Sequence, residues 1–344
     1  MRLSLIAFRS WFLLLAALAL PANLLGANDG AARATARAVS AAKTFLATLD
    51  AAERGKAVFE MGDDAQRERW SNLPAGLYRR AGLRMGDLKP EQRRAAESLL
   101  EALLAKSGHE KVQGIVAGDE TLRNDDLGGR LRFGRDEYFL AFLGEPSETA
   151  AWGFQFGGHH LAINLTWSGG KATAAPTHLG VQPARFQMDG KMFRPLGQET
   201  DLAHALINGL PPGDRSDAIL GAEFRDLVLG PGKPMRAIFP EGLPASRMAA
   251  AQKKQLLELV RQWVGLLPEE LAEAKMAEVQ ATLDETWFAW SGPTQASSAA
   301  YFRIHGPAVF IEYAPQRMGG DPTQHIHTIY RDPANEYGKQ WWQR

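Results

Sequence analysis

Hydrophobic and polar positions alternate most clearly in the middle of the chain. Leu161, Ile163, Leu165 and Trp167 fall on one side of an extended segment, and Ala162, Asn164 and Thr166 on the other. A period of two predicts a half-buried strand, because successive side chains of extended backbone point to opposite faces. The run reads as extended from Thr149 to Trp167. On that reading His159 joins the apolar side and His160 the polar one. Phe133–Leu143 and Ala172–Pro176 have the same aromatic and β-branched character, divided by Gly and Pro. It returns near the C-terminus in Thr286–Trp290, Ser298–Ile304, Ala308–Tyr313 and Thr323–Arg331.

Elsewhere the spacing is helical. Ala31–Leu49 is alanine-rich with apolar residues three and four apart. Lys89-Pro90-Glu91 opens a second helix reaching about Lys106, with Gly108 as its stop. Trp70–Pro74 and Gly82–Met85 read as connecting loop. Thr200–Asn208 and Arg215–Leu229 read as short helices interrupted by Pro211-Pro212-Gly213. Residues 246–264 and 268–281 read as a helical pair. Ser246 would cap the first, and Pro268 opens the second with Glu269 and Glu270 in its first turn. This order predicts an α+β fold: a helical N-terminal region packed on a mixed, mainly antiparallel sheet, with a helical pair inserted before the C-terminal strands. No internal repeat or low-complexity segment stands out.

The first 27 residues are expected to stand apart from the fold. Arg2 and Arg9 precede the apolar run Trp11–Leu20, and Leu25-Gly26-Ala27 ends in a small residue. That is the layout of a secretory signal, with an uncleaved anchor as the alternative. The expectation is export to the periplasm or cell exterior, with no membrane association after cleavage. Residues 28–344 would form a single α+β domain, mainly helical over 28–125 and sheet-containing over 130–344.

Composition narrows the chemistry. Lysine and arginine together number 39, as do aspartate and glutamate, so no bulk charge attracts nucleic acid. There is no cysteine, which removes disulfides, thiolate ligands, cysteine nucleophiles and a lipoprotein attachment site. Any metal must be held by nitrogen and oxygen. No His-Glu-x-x-His helix, phosphate loop, Gly-x-Gly-x-x-Gly turn or Gly-x-Ser-x-Gly elbow occurs.

What remains is histidine. His325-Ile326-His327 places two imidazoles on one face of a strand, about 6–7 Å apart at the Cα level. Two neutral imidazoles so spaced suit zinc first, with copper, iron or manganese as alternatives. His160 is the candidate third ligand; His159, His305 and Asp332 are possible additions. Glu312, a carboxylate in the apolar strand Phe310–Tyr313, is a candidate ligand, imidazole-orienting partner or general base. Arg331 would share a face with the pair and clamp an acidic substrate group. The plainer readings are histidines bonded to backbone, Glu312 paired with Arg303 or Arg331, and Asp332 forming a turn before Pro333. His109, His178 and His204 are read as incidental.

The functional expectation is an exported metal-dependent hydrolase acting on a small-molecule or polymer-derived substrate. Its rivals are a non-catalytic exported protein binding a small ligand or metal, a copper or iron redox enzyme on the same ligands, and a metal-free hydrolase using a histidine with Glu312.

Several motifs together resemble a known family. They are Trp152-Gly153 with Phe156-Gly157-Gly158-His159-His160-Leu161, Pro176-Thr177-His178-Leu179-Gly180, Tyr301–Pro307, Glu312-Tyr313, and His325–Gly338. The chain is similar over about residues 35–340 to a secreted bacterial family catalogued as domain of unknown function 3500. Gln155 stands where a basic residue is expected, and Glu336 where an aspartate is. The resemblance implies no established activity.

Overall fold

The alternating segments pair into one sheet. The computed structural model describes residues 22–125, 130–188, 190–318 and 320–343. In chain order the first half holds α1 (Ala22–Ala47), α2 (Ala51–Ala57), β1 (Val58–Phe59), α3 (Asp64–Arg67), β2 (Leu83–Arg84), α4 (Pro90–Leu103) and α5 (Lys106–Thr121). Strands β3 (Phe139–Leu143), β4 (Trp152–Gly158), β5 (Leu161–Ser168), β6 (Lys171–Thr173) and β7 (Thr177–Val181) follow, then the small hairpin β8 (Phe186–Met188) and β9 (Lys191–Phe193). The second half holds α6 (Gly197–Gly209), α7 (Pro212–Ala218), β10 (Leu243–Pro244), α8 (Ala250–Val264) and α9 (Glu269–Ala281). It ends with β11 (Trp287–Ser291), β12 (Tyr301–His305), β13 (Phe310–Pro315) and β14 (Ile326–Arg331). Among the described residues twelve strands form one sheet in the order β1-β3-β4-β5-β7-β14-β13-β12-β11-β10, with β2 beside β3 and β6 beside β5. Its ladders are antiparallel except that between β1 and β3. The fold is α+β, as the pattern predicts.

The two faces of the sheet differ in chemistry. One carries Leu161, Ile163, Leu165, Leu179, Ile304 and Ile311, and the apolar stripes of the helices bury against it. Leu99 and Leu103 of α4, Ile115 of α5 and Trp263 of α8 are all in that core. Each such residue, fully buried, contributes about 1.5–3 kcal/mol. Trp263 also donates its indole N–H to Thr328 Oγ1 at 3.0 Å, which satisfies the ring's polar atom inside the core. The opposite face carries Gln155, Asn164, His178, Arg303, Glu312 and Arg331, all buried. Two long segments, 60–82 and 220–242, supply partners on that face. Gln66 donates to Gln155, and Val228 and Leu229 donate backbone N–H groups to Glu312. Leu227 and Leu229 add a small second core with Phe310 and Ile329.

The two halves repeat one another, a relationship not visible from residue identities. Strand, single helical turn, two helices, then antiparallel strands occur in the same order from β2 to β7 and from β10 to β14. The registers agree as well. Leu83 faces Leu140 as Leu243 faces Phe288, Ala141 faces Gln155 as Ala289 faces Arg303, and Gln155 faces Asn164 as Arg303 faces Glu312. The parallel pairing of Val58 with Phe142 is matched by a bridge between Ile219 and Trp290. The ladder between β7 and β14 joins the halves into one sheet.

Several local expectations are corrected. The run 149–167 is not one strand but the hairpin β4–β5, turning at His159-His160. The helix from Pro90 stops at Leu103; Gly108 lies inside α5, where its missing side chain admits the Leu266 backbone. An added Cβ there would be 2.6 Å from Leu266 O. After α7 ends at Ala218, no helix continues to Leu229; the backbone there pairs with Glu312 instead. The residue preceding α8 is Ala249, not Ser246, and no side chain caps it. Of the expected signal segment, residues 1–21 lie outside the described residues, and Ala22–Ala27 begin α1. Among the described residues no helix is long and apolar enough to cross a membrane.

Candidate metal centre

Two turns and a gap bring three imidazoles together. His160 sits at the tip of the β4–β5 hairpin with φ +64, a left-handed conformation that a non-glycine residue adopts only when its surroundings impose it. Those surroundings are visible. The His160 carbonyl accepts from Gly180 N at 2.5 Å, and the preceding carbonyl, of His159, accepts from the Tyr138 hydroxyl at 2.9 Å. The conformation turns the His160 ring onto the polar face, beside β14. There His327 and the residue just before the strand, His325, project from the same side, as their i, i+2 spacing requires. Gly180 faces His327 across the ladder and leaves room for both rings.

The three Nε2 atoms converge. His325 Nε2 lies 2.9 Å from that of His160 and 3.1 Å from that of His327. His325 Nδ1 is 2.7 Å from the Met318 carbonyl, which can only accept. The proton of neutral His325 is therefore on Nδ1, and its Nε2 offers one lone pair. One lone pair cannot accept well from two neighbouring rings. A cation at the centre resolves the conflict: nitrogens 2.0–2.1 Å from a tetrahedral ion stand about 3.3 Å apart. Burial pushes His325 down to about 4, with the neighbouring His327 adding to the effect. Burial also lowers His160, far below the ordinary value, and His327. All three are neutral near pH 7, the form in which imidazole ligates.

Groups from the covering segments surround the cluster. His327 Nδ1 lies 3.4 Å from the Asn72 amide nitrogen and 3.8 Å from an Asp226 carboxylate oxygen. Loss of some surrounding water would by itself raise Asp226, whose side chain is still 65% exposed, yet the nearby His327 and the Leu227 N–H outweigh it and hold the carboxyl at about 2. Gln316 donates to the same Asp226 oxygen at 3.1 Å.

The other expected residues have different partners. His159 Nδ1 is 2.5 Å from Asp119 Oδ1, and its ring lies 3.5 Å from that of His160, centre to centre. Asp119, His159 and His160 form a second set of potential ligand atoms within 4.8 Å of one another. Glu312 does not join the cluster: its oxygens accept from Val228 N, Leu229 N and the Tyr301 hydroxyl, at 2.9, 2.8 and 2.6 Å. Nor is it paired with Arg303, whose guanidinium bonds Glu241. Arg331 is engaged within the protein. It forms a two-pronged pair with Glu336 and donates to the Lys233 carbonyl. Asp332 caps the turn at Ala334 and Asn335 and pairs with Lys275 at 2.7 Å. His305 faces Phe310 and Trp287 in its ladders, away from the cluster. Sequence reasoning missed His178, Asp119, Asn72 and Asp226. For His178 the available signal was alternation: it shares a face with Gly180, opposite His327.

The arrangement defines an α+β protein with a histidine cluster embedded in the polar face of a duplicated sheet. The chain belongs to the family described as Protein of unknown function (DUF3500), whose model matches residues 31–339. Comparison with curated proteins and with solved structures gives no match.

Proposed function

We propose that this is an exported metal-binding protein in which His160, His325 and His327 hold one divalent ion, zinc before copper, iron or manganese, and that it acts as a metal-dependent hydrolase. The observation that carries the reading is the meeting of three Nε2 atoms around His325, whose single lone pair cannot satisfy both neighbours. Three neutral imidazoles leave a fourth position for water or substrate, the donor set of catalytic rather than structural zinc sites. Bound there, the ion would supply an acidified water and a polarised substrate oxygen. The protein's part is orientation: the Met318 carbonyl fixes the His325 tautomer, and Asp226 stands behind His327. Export rests on the N-terminal pattern of charge, apolar run and small residues.

A second reading is a protein that binds metal without turnover. It draws support from burial, since His325 and His327 are only 6% and 7% exposed and the buried carboxylate Glu312 is fully engaged. Elemental analysis of tag-free protein, with and without His325→Ala and His327→Ala, tests what the readings share. One ion per chain, lost in the double variant, is expected; no metal after growth with zinc, copper, iron and manganese overturns both. Turnover of an ester, peptide or glycoside by the loaded protein, abolished with the ion, then favours the hydrolase.

A further inference from the structure

His178 lies on β7, facing Ala162 across one ladder and Ile329 across the other. Alternation puts it on the same face as Gly180, and thus on the side of the sheet that carries the cluster. Its ring stands edge-on to His327, with centroids 5.2 Å apart. It is 0% exposed, and neither Nδ1 nor Nε2 has a partner. A neutral imidazole offers one donor and one acceptor, and here both stand without a partner. An unpaired buried polar atom is costly enough that native proteins normally meet it with water, an ion or a ligand. Nearby, His160 Nδ1 is also buried without a partner.

Direct ligation is not what this geometry favours. The ligand atoms of His160, His325 and His327 lie within 4.8 Å of one another, and His178 is not in that set. A group beside the ligands, but outside their circle, is placed to bond whatever the ion itself holds. We propose that His178 is a positioning residue that hydrogen-bonds the small oxygen- or nitrogen-donor molecule filling the ion's fourth position. Water or hydroxide fits, as does a substrate oxygen or a small anion. The inference rests on the metal reading above.

The test uses Co²⁺ as a coloured ion and azide as the fourth ligand. Tag-free full-length protein is titrated with Co²⁺ in the visible range, then with azide; His178→Phe and the polar His178→Gln are compared. The expected result is one Co²⁺ per chain in all three proteins. Azide affinity should fall about tenfold or more in His178→Phe and be partly restored in His178→Gln. His178→Gln also serves if His178→Phe fails to fold, as judged by circular dichroism; its Co²⁺ spectrum and azide affinity must then differ from the parent's. Equal azide affinity in parent and variants overturns the inference and leaves the metal reading intact. A second Co²⁺ equivalent lost with His178 overturns it in favour of a two-ion centre. No Co²⁺ uptake by the parent fails the metal reading itself.

Discussion

Gly180 faces His327 across the ladder between β7 and β14, and a methyl group placed on it would meet two of the cluster's three rings. An added Cβ would lie 3.1 Å from His327 Cδ2 and 3.2 Å from His160 Cδ2. Neither ring can swing far, because both are buried. Gly180→Ala is therefore expected to shift the two imidazoles by a few tenths of an ångström and weaken metal binding about tenfold. Competition with a chromophoric chelator measures this. Stability should change by no more than about 1–3 kcal/mol, the usual range for overpacking.

Glu312 provides a contrasting case. Its carboxylate holds the covering segment through two backbone N–H groups and the Tyr301 hydroxyl, so its removal should destabilise the fold rather than empty the site. Glu312→Gln keeps the shape but replaces one acceptor oxygen by a donor facing donors. A loss of about 2–3 kcal/mol in urea denaturation is expected, with metal stoichiometry unchanged. Loss of the ion at full stability would return Glu312 to the site.

Much of the architecture was legible because period and punctuation are local properties. The helical pair before β11, the C-terminal strands and the shared face of His325 and His327 all follow from spacing within one element. The position of His160 was legible for the same reason, although the turn at His159-His160 was not: His160 holds a left-handed conformation that its residue type does not advertise. Glu312 and Arg331 were read as site groups because an isolated buried charge announces only that it needs a partner. Some of those partners, Leu229 for both residues, lie on a segment remote in sequence. His178 was read as incidental, although it sits in the Pro176–Gly180 motif, because no second histidine is spaced with it on the same strand. The repeat escaped notice because register is retained where identity is not. Asn164 and Glu312 occupy matching places, and Ala308 stands where His160 does, so only the first half sends a histidine from that hairpin to meet His325 and His327 of the second.

The repeat makes its own prediction. Gly82 and Gly242 precede matching strands with φ +101 and +95, and a Cβ on either would lie 2.2 or 2.3 Å from a carbonyl oxygen, of Leu140 and Phe288 respectively. Both lead a short strand onto the sheet in the same way. Alanine at either position combines a left-handed strain of about 1–2 kcal/mol with a backbone clash, so each variant should lose about 2–4 kcal/mol. Thermal unfolding of the two variants should show losses of similar size. A neutral outcome at one site only would mean that the two halves do not bear equivalent load.

Asp226 links the second covering segment to the cluster, and it separates a tuned site from three histidines that merely happen to meet. Its carboxylate is 3.8 Å from His327 Nδ1 and is held low by that ring and by the Leu227 N–H, against the effect of burial. A carboxylate behind a ligating imidazole orients the ring and makes it more basic; losing such a partner costs about 10- to 100-fold in metal affinity. Asp226→Asn keeps the shape while removing the charge. It should weaken Zn²⁺ binding by at least about tenfold in calorimetric titration, with His325→Ala as the reference for losing a ligand outright. Unchanged affinity would mean that Asp226 serves only its hydrogen bonds to Gln316 and Leu227, and that segment 220–242 closes over the sheet without tuning the ion beneath it.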